Sequence, residues 1–132
     1  MKEHQLYKDI LKGTELSGWT CFRINDGSLG RKPFDICGVT NTGRGVAIEV
    51  KVCRSDTLPE HIYTMLSSHQ LAWLKLYAKA GAVSLLLVHH KNCIYGYRLM
   101  YNIIHDTYFT LFISDNKLVR GSGFWTGLER FL

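Results

Sequence analysis

Asp35, Glu49 and Lys51 are the residues of this chain whose types and spacing could carry chemistry. They fall in Pro33-Phe34-Asp35-Ile36-Cys37-Gly38-Val39 and Val46-Ala47-Ile48-Glu49-Val50-Lys51-Val52, two apolar runs joined by an Asn/Gly-rich connection. That pattern reads as a β-hairpin. Alternation along a strand places Glu49 and Lys51 on one face and Ile48, Val50 and Val52 on the other, with Asp35 opposite in sense to Phe34 and Ile36. Charges set into apolar strands are costly unless paired or bound to a metal. A hard divalent cation such as Mg²⁺ takes one or two protein carboxylates and completes its shell with water and substrate phosphate oxygens. Asp35, Glu49 and the backbone carbonyl of Val50 would be its protein ligands. Lys51 would orient or help deprotonate an attacking water and offset charge developing on the phosphate oxygens. The reaction that suits this set is hydrolysis of a phosphodiester, although a cross-strand Asp–Lys or Glu–Lys surface pair uses the same residue types.

The elements that must position these residues follow from periodicity. Leu6, Tyr7, Ile10 and Leu11 predict an amphipathic helix over residues 2–12, with Gly13 as its stop. Glu3 lies on its first turn, where a carboxylate suits the helix dipole. Residues 19–24 read as a strand and 25–32 as a polar loop that delivers Arg31 and Lys32 to the Asp35 strand. The glycines of that loop would let backbone amides approach a phosphate. After the hairpin, residues 60–81 read as helical, with Pro59 a start, Ser67-Ser68 a break or second N-cap, and Gly81 a stop. Leu71, Trp73, Leu74, Leu76, Tyr77 and Ala78 make the second part apolar around much of its circumference, so it should pack on a sheet. Residues 82–88 read as a strand buried on both faces. The strand-helix-strand succession implies a right-handed crossover and parallel pairing. His89-His90-Lys91-Asn92 then reads as a turn and 93–99 as an antiparallel return. Residues 107–113 suggest a further strand, and the tail with Phe124 and Trp125 should dock on its own domain or on a second copy.

At 132 residues the chain is long enough for one domain with a real core. Sixteen Lys and Arg against eleven Asp and Glu give a net charge of +5, which favours a polyanionic partner. The longest apolar run is too short to span a bilayer and the polar start is not a signal peptide, so a cytoplasmic protein with no membrane partner is expected. Four cysteines without a Cys-x-x-Cys pair argue against zinc and for core residues or free thiols. His89 and His90 are adjacent and form no ligand set.

The stretch around Asp35 resembles the PD-(D/E)xK nuclease superfamily, in which an acid on one strand precedes Glu-x-Lys on the next. Ile48-Glu49-Val50-Lys51 matches fully; Pro33-Phe34-Asp35 departs from the family's Pro-Asp by the inserted Phe34. Within that superfamily the chain is most similar to the small Holliday-junction resolvases of archaeal and RecU type. The matches are Gly18-Trp19-Thr20-Cys21-Phe22-Arg23, Ser68-His69-Gln70-Leu71-Ala72-Trp73-Leu74 and the aliphatic strand entered at Gly81. The resemblance implies a restriction-endonuclease-like α/β core of helix, three-stranded antiparallel meander, helix and parallel strand, in a mixed sheet flanked by helices. It covers roughly residues 3–99, leaving 100–132 as an extension for dimerisation or DNA binding. It implies an Mg²⁺-dependent endonuclease, with Mn²⁺ able to substitute, that nicks branched DNA as a homodimer. It adds Gln70 to the metal site, and either Glu3 or Glu15 as a helix carboxylate. Arg23, Ser28, Arg31, Lys32, Arg44 and Arg54 are candidate phosphate contacts. Trp125 and Phe124 serve either as a wedge into unstacked bases or as packing. The alternatives are a related nuclease acting on flaps, ends or duplex, a non-catalytic DNA-binding module of the same fold, and a small interaction domain without a nucleic-acid role. The compact size would suit a phage-encoded enzyme.

Overall fold

A computed structural model describes residues 3–25, 32–115 and 124–125. Helix α1 (Glu3–Leu16) is followed by strands β1 (Thr20–Arg23), β2 (Ile36–Val39) and β3 (Gly45–Val52), a 3₁₀ turn (Ile62–Met65), helix α2 (Ser68–Lys79), and strands β4 (Val83–His90), β5 (Cys93–Asn102) and β6 (Thr107–Asp115). The six strands form one sheet in sequence order. Every pairing is antiparallel except β3 with β4, where α2 supplies the crossover and Glu49 stands beside Leu86 and Lys51 beside Val88. Parallel neighbours need such a connection, which is why the strand-helix-strand pattern was decisive.

The core lies in two layers. Leu6, Tyr7 and Ile10 of α1 pack with Ile36, Ile48, Val50, Leu85 and Leu87 on one side of the sheet. Leu74 and Ala78 of α2 pack with Phe34, Ala47, Leu86, Val88 and Leu99 on the other. All of β4 is buried, as its continuous apolar run requires. The hydroxyl of Ser84 donates to the Leu74 carbonyl at 2.9 Å and ties α2 to β4.

Several boundaries differ from the sequence expectation. α1 runs through Gly13 to Leu16, and the turn out of it uses Gly18, whose φ of +78° is the left-handed conformation that suits glycine. Burial of Leu6, Tyr7 and Ile10 outweighs the cost of a helical glycine, about 1 kcal/mol. Pro59 starts no α-helix; only the short 3₁₀ turn precedes α2, which begins after Ser67. Leu76 is exposed, so the buried stripe of α2 is narrower than its composition suggested. His89 and His90 belong to β4, and the turn is Lys91-Asn92 with φ of 48° and 63°. Two successive left-handed residues match the right-handed twist of a two-residue hairpin. Beyond residue 99 the chain continues the sheet through the end of β5 and β6. Phe124 and Trp125 are buried in the α1 layer, Trp125 edge-on to Trp19 at 5.3 Å, so neither ring is available as a wedge. No helix is long and apolar enough to cross a membrane among the described residues.

Candidate active site

The C-terminal half of β3 opens on a cleft of about 450 Å³ lined by Tyr7, Arg23, Lys32, Asp35, Glu49, Val50, Lys51, Val52, Arg54 and Gln70. Side-chain alternation brings Glu49 and Lys51 to the α2 side, since Ile48, Val50 and Val52 pack on the α1 side. Asp35 arrives differently from the expected strand alternation. Phe34 and Ile36 lie in opposite core layers, which regular extended chain would not allow for residues two apart. Asp35 occupies a bend before β2. Its backbone N–H donates to the Ile48 carbonyl at 3.1 Å, its carbonyl accepts from Ile24 N–H at 2.8 Å, and its Oδ2 accepts from Val50 N–H at 2.8 Å. The carboxylate thus takes the place of a strand carbonyl and holds Asp35 against β3, beside Glu49.

Both carboxyls are buried, Asp35 4% and Glu49 2% exposed. Burial and the adjacent Asp35 push the Glu49 pKa up to about 9, with Lys51 and Lys32 opposing. Burial also acts to raise Asp35, but its hydrogen bonds with Glu49, Lys32 and Val50 outweigh that and hold it below the ordinary value. Two acids this close favour one proton between them, an ionised Asp35 beside a neutral Glu49. Lys32 pairs with Asp35 Oδ1 at 2.8 Å. Gln70 Nε2 donates to Glu49 Oε1 at 3.1 Å, while Glu49 Oε2 is buried and, the Asp35–Glu49 contact aside, meets no hydrogen-bond partner.

The donor set fits a hard cation. Two buried carboxylates converge, and their oxygens are donors of the hard kind. Asp35, Glu49 and the Val50 carbonyl could hold a divalent cation such as Mg²⁺ there.

The sequence-predicted residues divide by place. Asp35, Glu49, Lys51, Val50, Gln70, Arg23, Lys32 and Arg54 meet at the cleft. Arg44 does not: it stands just before β3, roughly 16 Å along the strand from Glu49, and its Nη2 donates to the Gly81 carbonyl at 2.9 Å. Ser28 and Arg31 lie outside the described residues, as does the side chain of Glu3. Residue 3 begins α1 one turn before Tyr7, whereas Glu15 is exposed roughly 12 Å further along the axis. Tyr7 was missed as a cleft residue. Its ring carries the Arg23 guanidinium at 3.8 Å and so aims that cation at the site. Helical spacing marked Tyr7 as core, and only the polar tip of an otherwise apolar side chain hinted at more.

A mixed sheet between two helices, with paired acids at the open end of its β2–β3 hairpin, is a restriction-endonuclease-like α/β fold. Among solved structures the chain is similar to Hjc of Archaeoglobus fulgidus, a Holliday junction resolvase from an archaeal hyperthermophile. The TM-score is 0.53 and the identity 19%, over 89% of this chain and 90% of that one. No family model matches the chain, and no curated protein matches it.

Proposed function

We propose that the protein is an Mg²⁺-dependent endonuclease of the resolvase kind, hydrolysing phosphodiester bonds in four-way or otherwise branched DNA. The observation that carries the reading is the convergence of Asp35, Glu49, Lys51 and Gln70 in one basic-rimmed cleft, with Glu49 Oε2 buried and met by no donor beyond the acid pair itself. Mg²⁺, or Mn²⁺ in its place, would be held by Asp35, Glu49 and the Val50 carbonyl, supplying Lewis-acid polarisation of the phosphate and a more acidic water. Lys51 orients that water and offsets charge on the phosphate oxygens. Arg23, Lys32 and Arg54 hold the DNA backbone at the rim. The fold shared with an archaeal resolvase favours branched DNA, and two-fold symmetric incision of a junction calls for a homodimer with one site per subunit.

Cleavage of a synthetic four-way junction and of linear duplex, each with Mg²⁺, tests this reading beside Asp35→Asn and Lys51→Ala. The wild-type chain should cut the junction preferentially, and both variants should lose at least about a hundredfold in rate. Equal cutting by all three proteins would remove the site assignment. Preference for linear duplex would remove only the junction specificity, and salt-sensitive DNA binding without turnover would leave a binding module.

A further inference from the structure

Ser67 does not line the cleft, yet its hydrogen bonds lead through Gln70 to Glu49. It is the N-cap of α2, and it forms a reciprocal box with Gln70. Gln70 N–H donates to Ser67 Oγ at 3.1 Å, and Ser67 N–H donates to Gln70 Oε1 at 3.0 Å. A primary amide has one accepting and one donating end. Only Oε1 can receive the Ser67 N–H, so Nε2 must point the other way, and there it donates to Glu49 Oε1. The flipped amide would set N–H against N–H at Ser67 and oxygen against carboxylate at Glu49.

We infer that the Ser67–Gln70 capping box is a positioning device for the metal site: it locks the Gln70 amide so that Glu49 Oε1 is engaged and Oε2 alone is offered to the cation. The inference rests on the metal-site reading proposed above. Outer hydrogen-bond partners of ligating carboxylates commonly affect metal affinity by about 10- to 100-fold. Here that influence arises from a helix cap, a feature otherwise concerned only with stability.

Backbone geometry provides a clean test. Ser67 has φ of −68° and ψ of 161°, and Leu66 before it is extended at φ −95° and ψ 147°, so proline fits at position 67 without strain. Ser67→Pro removes both the N–H that latches Oε1 and the hydroxyl; Ser67→Ala removes only the hydroxyl; Ser67→Thr keeps both. Mn²⁺ binding to the full chain is measured by calorimetry and electron paramagnetic resonance, with thermal melts to confirm folding. Mn²⁺ affinity should fall about tenfold in Ser67→Pro, fall less in Ser67→Ala and stay near wild type in Ser67→Thr. The decisive comparison is the double-mutant cycle with Gln70→Ala: the effect of Ser67→Pro should vanish once the amide is gone. An equal loss on both backgrounds, or none on either, overturns the inference while leaving the metal site standing. If the proline variant does not fold, the same cycle with Ser67→Ala decides, and its effect must likewise disappear on the Gln70→Ala background. A wild-type chain that binds no Mn²⁺ overturns the metal-site reading and the inference together.

Discussion

Lys32 places its ammonium 2.8 Å from Asp35 Oδ1, so a residue expected to hold DNA stands on a carboxylate expected to hold a metal. The two roles compete for one oxygen. Lys32→Met should therefore tighten Mg²⁺ binding by several-fold while weakening DNA association, with the salt dependence of binding reduced by about one unit of slope. Calorimetric metal titration and DNA binding across a salt series read the two effects separately. Weakening of both would show that Lys32 supports the acids and does not compete for them.

The shared proton makes stability pH-dependent. The folded state raises Glu49 from an ordinary 4.5 to about 9, because burial and Asp35 disfavour its charge. The folded chain keeps a proton there that the unfolded chain releases. That contribution is complete below about pH 4.5 and declines as pH rises toward about 9. Asp35 acts in the opposite sense: its lowered value stabilises the fold above its ordinary 3.8 and is lost as pH falls through the folded value. With metal chelated, the melting temperature should drop as pH is raised through neutrality, and Glu49→Gln should flatten the decline. Mg²⁺, held by the ionised pair on the reading proposed above, should also oppose it. A melting temperature that climbs with pH over this range in the chelated wild type would contradict the assignment of Glu49.

Arginines near the two ends of β3 should behave differently. Arg44 serves the Gly81 carbonyl away from the cleft, so Arg44→Ala should leave junction cutting and DNA affinity unchanged and cost about 1 kcal/mol of stability. Arg23→Ala and Arg54→Ala should each weaken binding uniformly across DNA sequences and lower the salt slope by about one. Comparable loss of affinity in Arg44→Ala would extend the DNA path along the whole of β3.

Gly38 keeps β1 against β2. A Cβ there would lie 2.0 Å from the Thr20 carbonyl oxygen and 2.7 Å from Cys21 Cα, backbone atoms that cannot give way without parting the strands. Gly38→Ala should cost about 3 kcal/mol or more in urea unfolding. Because β1 ends at Arg23, any folded remainder should bind DNA more weakly than wild type. A fully stable Gly38→Ala protein would show that the edge strand can shift freely.

The readable parts of this chain are those where one local rule and the tertiary structure agree. Glu49 and Lys51 share a face because a strand has a period of two, and Ser67 caps α2 because its hydroxyl and the Gln70 amide fit the box. Gly13 misled because the packing of Leu6, Tyr7 and Ile10 outweighs a glycine's preference. Asp35 was expected in a regular strand, whereas its carboxylate substitutes for a strand carbonyl at Val50, a bond no periodicity reports. The Arg44 position illustrates the same limit: a basic residue beside the hairpin looks equivalent to Arg54 until the length of β3 separates them.

The single parallel pairing also governs the order in which the molecule can form. Strands β4, β5 and β6 close over short turns, but Gln70 meets Glu49 across 21 positions, and β3 meets β4 only after the whole crossover has been laid down. Contacts between distant segments are slow to form because chain closure must precede them. The β2–β3 hairpin can therefore bring Asp35 and Glu49 together early, while Gln70 joins them only once the crossover has formed. A partly refolded chain would hold the acid pair without its Gln70 contact, and on the nuclease reading proposed above full activity would return with the slowest kinetic phase.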